Sequence, residues 1–584
     1  MGKYVNLSKP KVRNNTLQRV TLSEITALSH ANVIFAKNIK SYNMKFNFSL
    51  RVSALFIFLQ IHLNGQVTLT QSNLPVVLID THGEQIVDDP KINADMKIIY
   101  NGQDKMNNIT DSVYHFDGKI GIEFRGSTSQ SFPKKPYGFE LQDNAGEELE
   151  VSLLGMPKES DWTFNATYND KTLMRDGLTY ILAGSFMEYA PRVRYTELMI
   201  NGQYQGIYLL IEKIKRGKNR VNIAKMKNTD NSGDALTGGY IIKIDKETGS
   251  NSGEGWTSHH APFPDAWQRT FFQYEYPKNK NITAEQKNYI SNHVTMIENV
   301  LAGTDFANPE SGYRKYIDTR SLMDYIIVNE LTKNPDAYRL STFFYKQRDS
   351  EGGKIKFGPV WDYNLALGNV DYCTQGDPEG LVIEEFNKVC PGDGWVIPFW
   401  WNRVLEDSTF YRDLKLRWKE LRNNQLSDLK IFGTVDSLAM LVYQAKDRNF
   451  IKWPVLGEYV WPNYFVGQTY DEEIVFLSDW LEKRLAYLDD KWKIETVNTV
   501  ELSGNKVILS PNPVTDMTQL RMNTLSSVIK PISVLDMNGQ IVQIPVIYTG
   551  ENELSYDFSL CKQGVYFIRY LNDNNILVSK IVKL

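Results

Sequence analysis

The hydrophobic period of this chain changes twice, and no other feature constrains its fold as strongly. Up to about residue 246 the apolar residues fall in short strand-like runs, LPVVLID (74–80), MKIIYNG (96–102), KIGIEFRG (119–126) and KKPYGFELQD (134–143), punctuated by Gly, Asn and Asp. One stretch breaks the pattern. Within 170–188, Leu173, Met174, Leu178, Ile181, Leu182 and Phe186 recur at helical spacing, and Asp170 is placed to cap a helix. RYTELMINGQYQGIYLLIEKIK (194–215) then reads as a hairpin turning at Asn201-Gly202, and GGYIIKIDK (238–246) as another strand. From Thr283 onward helices dominate, in AEQKNYISNHVTMIENVLAG, in SLMDYIIVNELTK, from Pro398 to Leu421 and over 471–492. From about Thr496 the pattern turns again, to short strands separated by NG, PNP and ND turns, which read as a small all-β sandwich.

Composition narrows the function classes. With 42 % hydrophobic and 23 % charged residues among 584, the chain is globular and long enough for two to four domains. Its 65 basic and 69 acidic residues leave a net charge of −4 and no basic stripe, so nucleic acid is not expected as a partner. MKFNFSLRVSALFIFLQIHLNGQ (44–66) places Lys45 and Arg51 before an apolar run from Val52 to Leu63, the order of a secretory signal peptide. That run is shorter than the ~20 residues a spanning helix needs, so no transmembrane segment is expected in the mature chain. The expected organisation is an upstream-start extension without fixed structure (1–43), a signal peptide (44–65), a linker (66–73), a main domain (74–495) and a C-terminal sandwich (496–584). An uncleaved anchor with a cytoplasmic tail is the alternative for the first 65 residues. Export suits the cysteines. Of three, Cys373 and Cys390 lie close in one loop-rich region, as a disulfide or as two unrelated thiols, and Cys561 stands apart.

The chemistry concentrates in GPVWDYNLALGN (358–369), which reads as a buried strand ending at Asp362. Burying a lone carboxylate is costly unless an Arg, a Lys or a metal ion pairs with it. A second acid, Asp336, lies upstream in KNPDAYRLSTFFYK, across a hairpin-like segment. Two such acids are a candidate metal and proton-transfer site. Read singly, Asp336 suits a turn or helix cap, Asp362 an ion pair with Arg, Lys134 and Lys135 a solvated strand end, and His259-His260 an exposed loop pair. A strand-rich half with one helix, followed by a helical half holding two acids, is also the layout of a bilobal phosphoryl-transfer enzyme.

FRGSTSQSFPKKPYGFEL, DWTFNATYNDKTLMRD, ELMINGQYQGIYLLIEKI, GPVWDYNLALGN, PFWWNRVLEDSTF and the closing WLEKRL, in that order, resemble the CotH family of spore-coat-H-like atypical protein kinases. The resemblance spans roughly residues 74–492 and implies an α+β, bilobal, kinase-like fold with a strand-rich N-lobe and a helical C-lobe. It implies Asp336 as the catalytic acid facing an acceptor hydroxyl. It also implies Asp362 as a ligand of Mg2+ or Mn2+, aided by Asn364 and Ser341, with ATP as substrate. Where that family often has a second Asp this chain has Asn364, and where it often has an Asn this chain has Ser341. Gly126 and the hydroxyls after it are placed to meet phosphate oxygens, and Lys135 is the expected phosphate-binding lysine with Lys134 its rival. Arg125 is a further phosphate candidate, and Glu212 marks the strand end that would meet adenine. LSPNPVTD, VLDMNGQIV, GVYFIRY and KIVKL resemble the C-terminal sorting domain of the type IX (Por) secretion system, over about 503–584. Together these imply a secreted or cell-surface kinase that phosphorylates Ser or Thr of an unidentified exported protein and leaves through the type IX machinery. The alternative is a kinase-like surface or adhesion protein with weak or no catalysis.

Overall fold

Six of the strand-like runs and a seventh strand not read from the sequence, Asp161–Ala166, close on themselves. In the computed structural model, which describes residues 67–247, 254–494, 507–522, 529–537, 540–550, 553–572 and 575–584, strands β1 (Val76–Asp80), β2 (Ile92–Ile99), β3 (Phe116–Phe124), β4 (Tyr137–Gln142), β5 (Asp161–Ala166), β6 (Val193–Ile200) and β7 (Gln203–Glu212) form a closed barrel. Its order is β1-β2-β3-β4-β5-β7-β6, closed by a parallel pairing of Val76 with Glu197. Alternation explains the closure. Ile120 and Ile122 of β3, Phe139 of β4, Trp162 and Phe164 of β5, and Tyr208 and Leu210 of β7 fill the barrel interior. Their neighbours Ile207, Leu209 and Ile211 on β7 point the other way and join the core of the helical half. Strand β7 is thus a shared wall, buried on both faces.

Helix α1 (Arg175–Gly184) joins β5 to β6 and lies against that outer wall, with Leu178, Leu182 and Ala183 in the same core. Beyond the barrel, β8 (Tyr240–Ile244), β9 (Gly255–Thr257), β10 (Phe271–Tyr276), β11 (Thr342–Lys346) and β12 (Ile355–Phe357) make a second sheet in the order β9-β10-β8-β11-β12. Around it pack α2 (Ala284–Ala302), α3 (Thr319–Thr332), α4 (Val382–Val389), α5 (Phe399–Leu405), α6 (Ser408–Arg422), α7 (Asp428–Lys452) and α8 (Tyr470–Lys491). A capping box at Thr283 and Gln286 starts α2. Every residue of α3 from Leu322 to Thr332 is buried, so this helix is the axis of the helical half. Its Glu330 meets Arg484 of α8 at 3.2 Å, with both side chains excluded from solvent. Among the described residues no helix is long and apolar enough to cross a membrane. The tail forms two four-stranded antiparallel sheets around Leu520, Val534, Leu554 and Ile568.

Several expectations are corrected. The helix expected over 170–188 begins only at Arg175, and Met174 rather than Asp170 holds the N-cap position, although Asp170 Oδ2 still accepts from the Arg175 N–H at 2.8 Å while Oδ1 accepts from Arg175 Nη1 at 2.7 Å. The run from Pro398 to Leu421 is two helices, divided where Asp407 accepts from the Thr409 and Phe410 N–H groups. Residues 358–363 are not strand: β12 ends at Phe357, and positive φ at Gly358 (115°) and Asp362 (68°) turns the chain away from the sheet. Lys134 and Lys135 precede β4 rather than lead it. The polar stretch read as a linker is integral from Val67 on, since Leu69 is buried and Gln71–Ser72 pairs with Asn107–Asn108. The signal peptide and the extension before it lie outside the described residues.

Candidate active site

Asp362 sits where the outer wall of the barrel, α1 and the β11–β12 hairpin converge. Its main chain is pinned. The Asp362 N–H donates to Tyr180 Oη at 3.0 Å, and the Tyr363 N–H donates to Asp176 Oδ1 at 2.7 Å, so two side chains of α1 hold the turn. Tyr363 Oη donates to Asn329 Oδ1 of α3 at 2.7 Å. These contacts impose the left-handed backbone that an aspartate does not favour by itself. Burial pushes the Asp362 carboxyl up to about 7, with the charges of Asp176 and Asp336 adding and Arg125 opposing. Asp176 is pushed up to about 6, by burial first and then against hydrogen bonds from Tyr363, Asn165 and Tyr180. Carboxylates crowded in this way favour a cation among them.

Asp336 occupies the turn after α3, which Lys333 ends in a left-handed conformation. Arg339 Nη2 donates to Asp336 Oδ1 at 3.0 Å. Burial raises the Asp336 carboxyl, Arg339 and Lys246 oppose, and Asp245 and Asp393 add to the rise. Asn334 links the two acids, donating to the Asp362 carbonyl at 3.4 Å and accepting from the Asp336 N–H at 3.2 Å.

Arg125 supplies the opposite charge. Its guanidinium lies 4.9 Å from the ring centroid of Trp361, and Nη1 is buried without a hydrogen-bond partner. Burial lowers its pKa, with Asp362 the foremost opposing charge. Two lysines approach from either side. Lys213, just past β7, is 3.6 Å from Asp161, and burial pushes its ammonium down with Lys278, Arg125 and Lys91 adding. Lys243 of β8 is 3.1 Å from Asp245, and against burial Asp245 and Glu275 hold its ammonium above the ordinary value. Acids and cations thus lie near enough to act on one another's charge, and Arg125 Nη1 has no partner.

Each expected site residue has a definite place. Asp336, Asp362 and Arg125 are brought together. Asn364 donates to Asn169 Oδ1 at 3.0 Å, which leaves its own oxygen for another partner. Ser341 lies in a left-handed turn (φ 46°) just before β11. Gly126 has φ 91°, and a Cβ there would stand 2.1 Å from Ser129 Oγ, so only glycine fits the loop. Lys135 donates to the Gln130 carbonyl at 2.6 Å and fastens that same loop. Lys134 is engaged elsewhere: it is buried against the barrel wall, donating to the Ile207 carbonyl, Asn449 Oδ1 and Thr167 Oγ1. Glu212 is also spoken for, because its carboxylate accepts from Arg192 and Tyr189. Cys373 and Cys390 are bonded, with Cα atoms 5.7 Å apart. Asp176, Tyr180, Lys213, Lys243 and Arg339 escaped the sequence reading. Asp176 lies inside DWTFNATYNDKTLMRD, but that run reads first as the apolar face of a helix.

Among the described residues no group of three or more His, Cys, Asp or Glu side chains could hold a metal ion alone. One or two carboxylates with an amide oxygen instead suit a magnesium ion that takes its remaining ligands from phosphate and water. The unpartnered Arg125 nitrogen fits the phosphate.

A family model described as CotH kinase protein matches residues 122–488, more than half of the chain. A second, described as a secretion system C-terminal sorting domain, matches residues 509–584. The chain is 21 % identical over 433 residues to the inner spore coat protein H of Bacillus subtilis (strain 168), an alignment covering 73 % of this chain and 99 % of that protein.

Proposed function

The chain belongs to the CotH kinase protein family and carries a secretion sorting domain that marks it for export to the cell surface or beyond, and from that premise we propose that residues 67–494 are a bilobal, kinase-like phosphotransferase. The barrel with α1 acts as the N-lobe and the second sheet with its helices as the C-lobe. ATP binds between them, and the acceptor is a Ser or Thr hydroxyl of an exported protein. The type IX machinery carries the chain out. The observation that carries this reading is the buried, unpartnered Arg125 nitrogen, whose charge acts on Asp362 as does that of Asp336.

Each residue has a task. Asp362 and the Asn364 oxygen would hold Mg2+, which when bound neutralises phosphate charge. Arg125 donates to phosphate oxygens, and Lys213 and Lys243 balance the rest of the chain's charge. Asp336 faces the acceptor hydroxyl and takes its proton as the new P–O bond forms and the bond to ADP breaks. Arg339 opposes the rise that burial imposes on the Asp336 carboxyl and aims it. Asp176 and Tyr180 hold the Asp362 turn in place through its backbone.

Calorimetric titration of ATP into the full chain, with and without Mg2+, tests the reading beside Asp362→Asn. Magnesium-dependent binding that weakens at least a hundredfold in the variant is expected. Absence of such binding in the parent protein would refute the enzyme. A second reading, a kinase-shaped surface-binding protein, is favoured by the neutral Asn364 and Ser341 at positions of expected metal ligands. Asp336→Ala separates the two: a binding protein keeps its function and a kinase loses phosphate transfer.

A further inference from the structure

The segment that begins at Asp362 is tied covalently to a loop that holds Arg339, the ion-pair partner of Asp336. Asp362 opens a segment that runs through Leu367, whose N–H donates to the Thr332 carbonyl at 2.7 Å, and ends at Cys373. Cys390 is the residue that ends α4 and begins the loop Cys390-Pro391-Gly392-Asp393-Gly394-Trp395. The partners of that loop lead to Asp336. Asp393 Oδ1 accepts from Arg339 Nη1 at 3.3 Å, and the Trp395 carbonyl accepts from the same nitrogen at 2.8 Å. Arg339 Nε donates to the Pro335 carbonyl at 2.8 Å, and Nη2 to Asp336 Oδ1 at 3.0 Å. The guanidinium, 4 % exposed, lies 4.1 Å from the ring centroid of Phe386 on α4.

Non-covalent contacts hold the rest of the loop: the Trp395 N–H donates to Asp393 Oδ1 at 2.8 Å, Lys246 lies 5.0 Å from the Trp395 ring centroid, and Asn387 of α4 pairs with both backbone groups of Ile397. Two of the loop's six residues are glycines with nothing near the position a Cβ would take, and Asp393 and Trp395 are partly open to solvent. Gln268 Nε2 donates to the carbonyls of Pro391 and Asp393, and the disulfide is the covalent anchor. A glycine-rich segment loses much conformational freedom on ordering, and a cross-link lowers that cost.

We propose that the Cys373–Cys390 bond is a strap that sets Asp336 for catalysis through Asp393, Trp395 and Arg339, so that full turnover requires oxidation during export. The proposal rests on the reading of Asp336 as the acid that faces the acceptor. Arg339, Asp393 and the strap are positioning elements and touch no substrate. Closing the strap joins two thiols into one S–S bond. The two protons and two electrons released pass by thiol–disulfide exchange to a disulfide-bearing oxidant of the exporting compartment, which leaves as a dithiol.

The test compares the oxidised full chain, the same folded protein treated with a phosphine reductant, and a Cys373→Ser, Cys390→Ser double variant. Three quantities are followed: magnesium-dependent ATP binding, the split between kcat and KM for ATP, and amide hydrogen exchange over residues 334–341. Reduction and the double variant should leave ATP affinity and KM within twofold. They should lower kcat at least tenfold and speed exchange over 334–341 at least tenfold. Asp393→Asn should lower kcat in the same direction, and reductant should do nothing further to the double variant. Unchanged kcat, or unchanged exchange over 334–341 after reduction, overturns the strap. Should the oxidised chain bind ATP yet transfer no phosphate, the kinase reading falls and the exchange measurement alone still decides the strap.

Discussion

Replacing Lys134 with Met should stabilise the chain at neutral pH and flatten its dependence of stability on pH, without touching nucleotide binding. The residue is 1 % exposed, and its three acceptors are all uncharged: the Ile207 carbonyl at 2.6 Å, Asn449 Oδ1 at 3.0 Å and Thr167 Oγ1 at 3.2 Å. Burial pushes its pKa from 10.5 down to about 7, with only Asp170 opposing. The sign follows from proton binding. Between the folded and unfolded pKa values the unfolded chain holds a proton that the folded chain has released, so stability rises with pH through that window. The penalty is complete below pH ~7 and gone above ~10.5, and at ~1.4 kcal/mol per pKa unit it amounts to ~5 kcal/mol. Methionine removes it and also deletes three hydrogen bonds, together worth ~1–3 kcal/mol. Asn449 Oδ1 keeps one partner, the Ile207 N–H at 3.1 Å. The variant should therefore be ~2–4 kcal/mol more stable at pH ~6.5 and no more stable than the parent at pH ~10. Urea unfolding of both proteins at several pH values reads this directly. A difference that stays constant with pH would refute the reasoning, because it would mean the buried ammonium is compensated by charge. Parallel ATP titration should give the same affinity for both proteins, and its loss would make Lys134 the phosphate lysine.

Lys213→Met and Lys243→Met should each weaken magnesium-dependent ATP binding about tenfold, or ~1.4 kcal/mol, with melting temperature nearly unchanged, and equal affinity would remove that lysine from the site. Arg484→Met leaves Glu330 buried with only Val382, Ile383 and Tyr338 as donors, which should cost ~3–5 kcal/mol of stability by denaturant unfolding. An unaffected unfolding midpoint would contradict it. Burial pushes Glu298 up to about 7 against its hydrogen bond from Ser258. A folded pKa above the ordinary carboxylate value costs stability as pH rises towards 7, so Glu298→Gln should match the parent near pH ~4 and exceed it by ~2–3 kcal/mol at pH ~8. Thermal melts at the two pH values check this, and a variant less stable than the parent at pH ~8 would show the carboxylate to be stabilising.

Much of the fold could be read locally. Asn201-Gly202 marked its hairpin because only a tight turn suits that pair between two apolar strands, and helical patterning from Thr283 marked the start of α2, whose Thr283–Gln286 capping box was legible but overlooked. Asp362 and Asp336 stood out because an acid beside an apolar run demands an explanation, and Arg125 and Gly126 were marked by the family resemblance. Other elements were legible and overlooked: Ile431, Val435, Leu438, Val442 and Ala445 line the buried face of α7 at helical spacing.

What the sequence by itself determined was the succession of elements and the few residues whose chemistry conflicts with their apolar surroundings. What only the tertiary structure decided was the company each charge keeps. Lys134 and Lys135 are adjacent and chemically identical, yet one is sealed against α7 and the other fastens the loop after β3. Glu212 and Lys213 are likewise neighbours, and the first closes an ion pair with Arg192 while the second reaches Asp161. Asp176 looks like any polar residue on an amphipathic helix until closure of the barrel brings α1 against the Asp362 turn. Hydrophobic periodicity reports contacts within one element, whereas the charge state and role of an ionisable group depend on distances between elements far apart in the chain, and those exist only once the core has assembled.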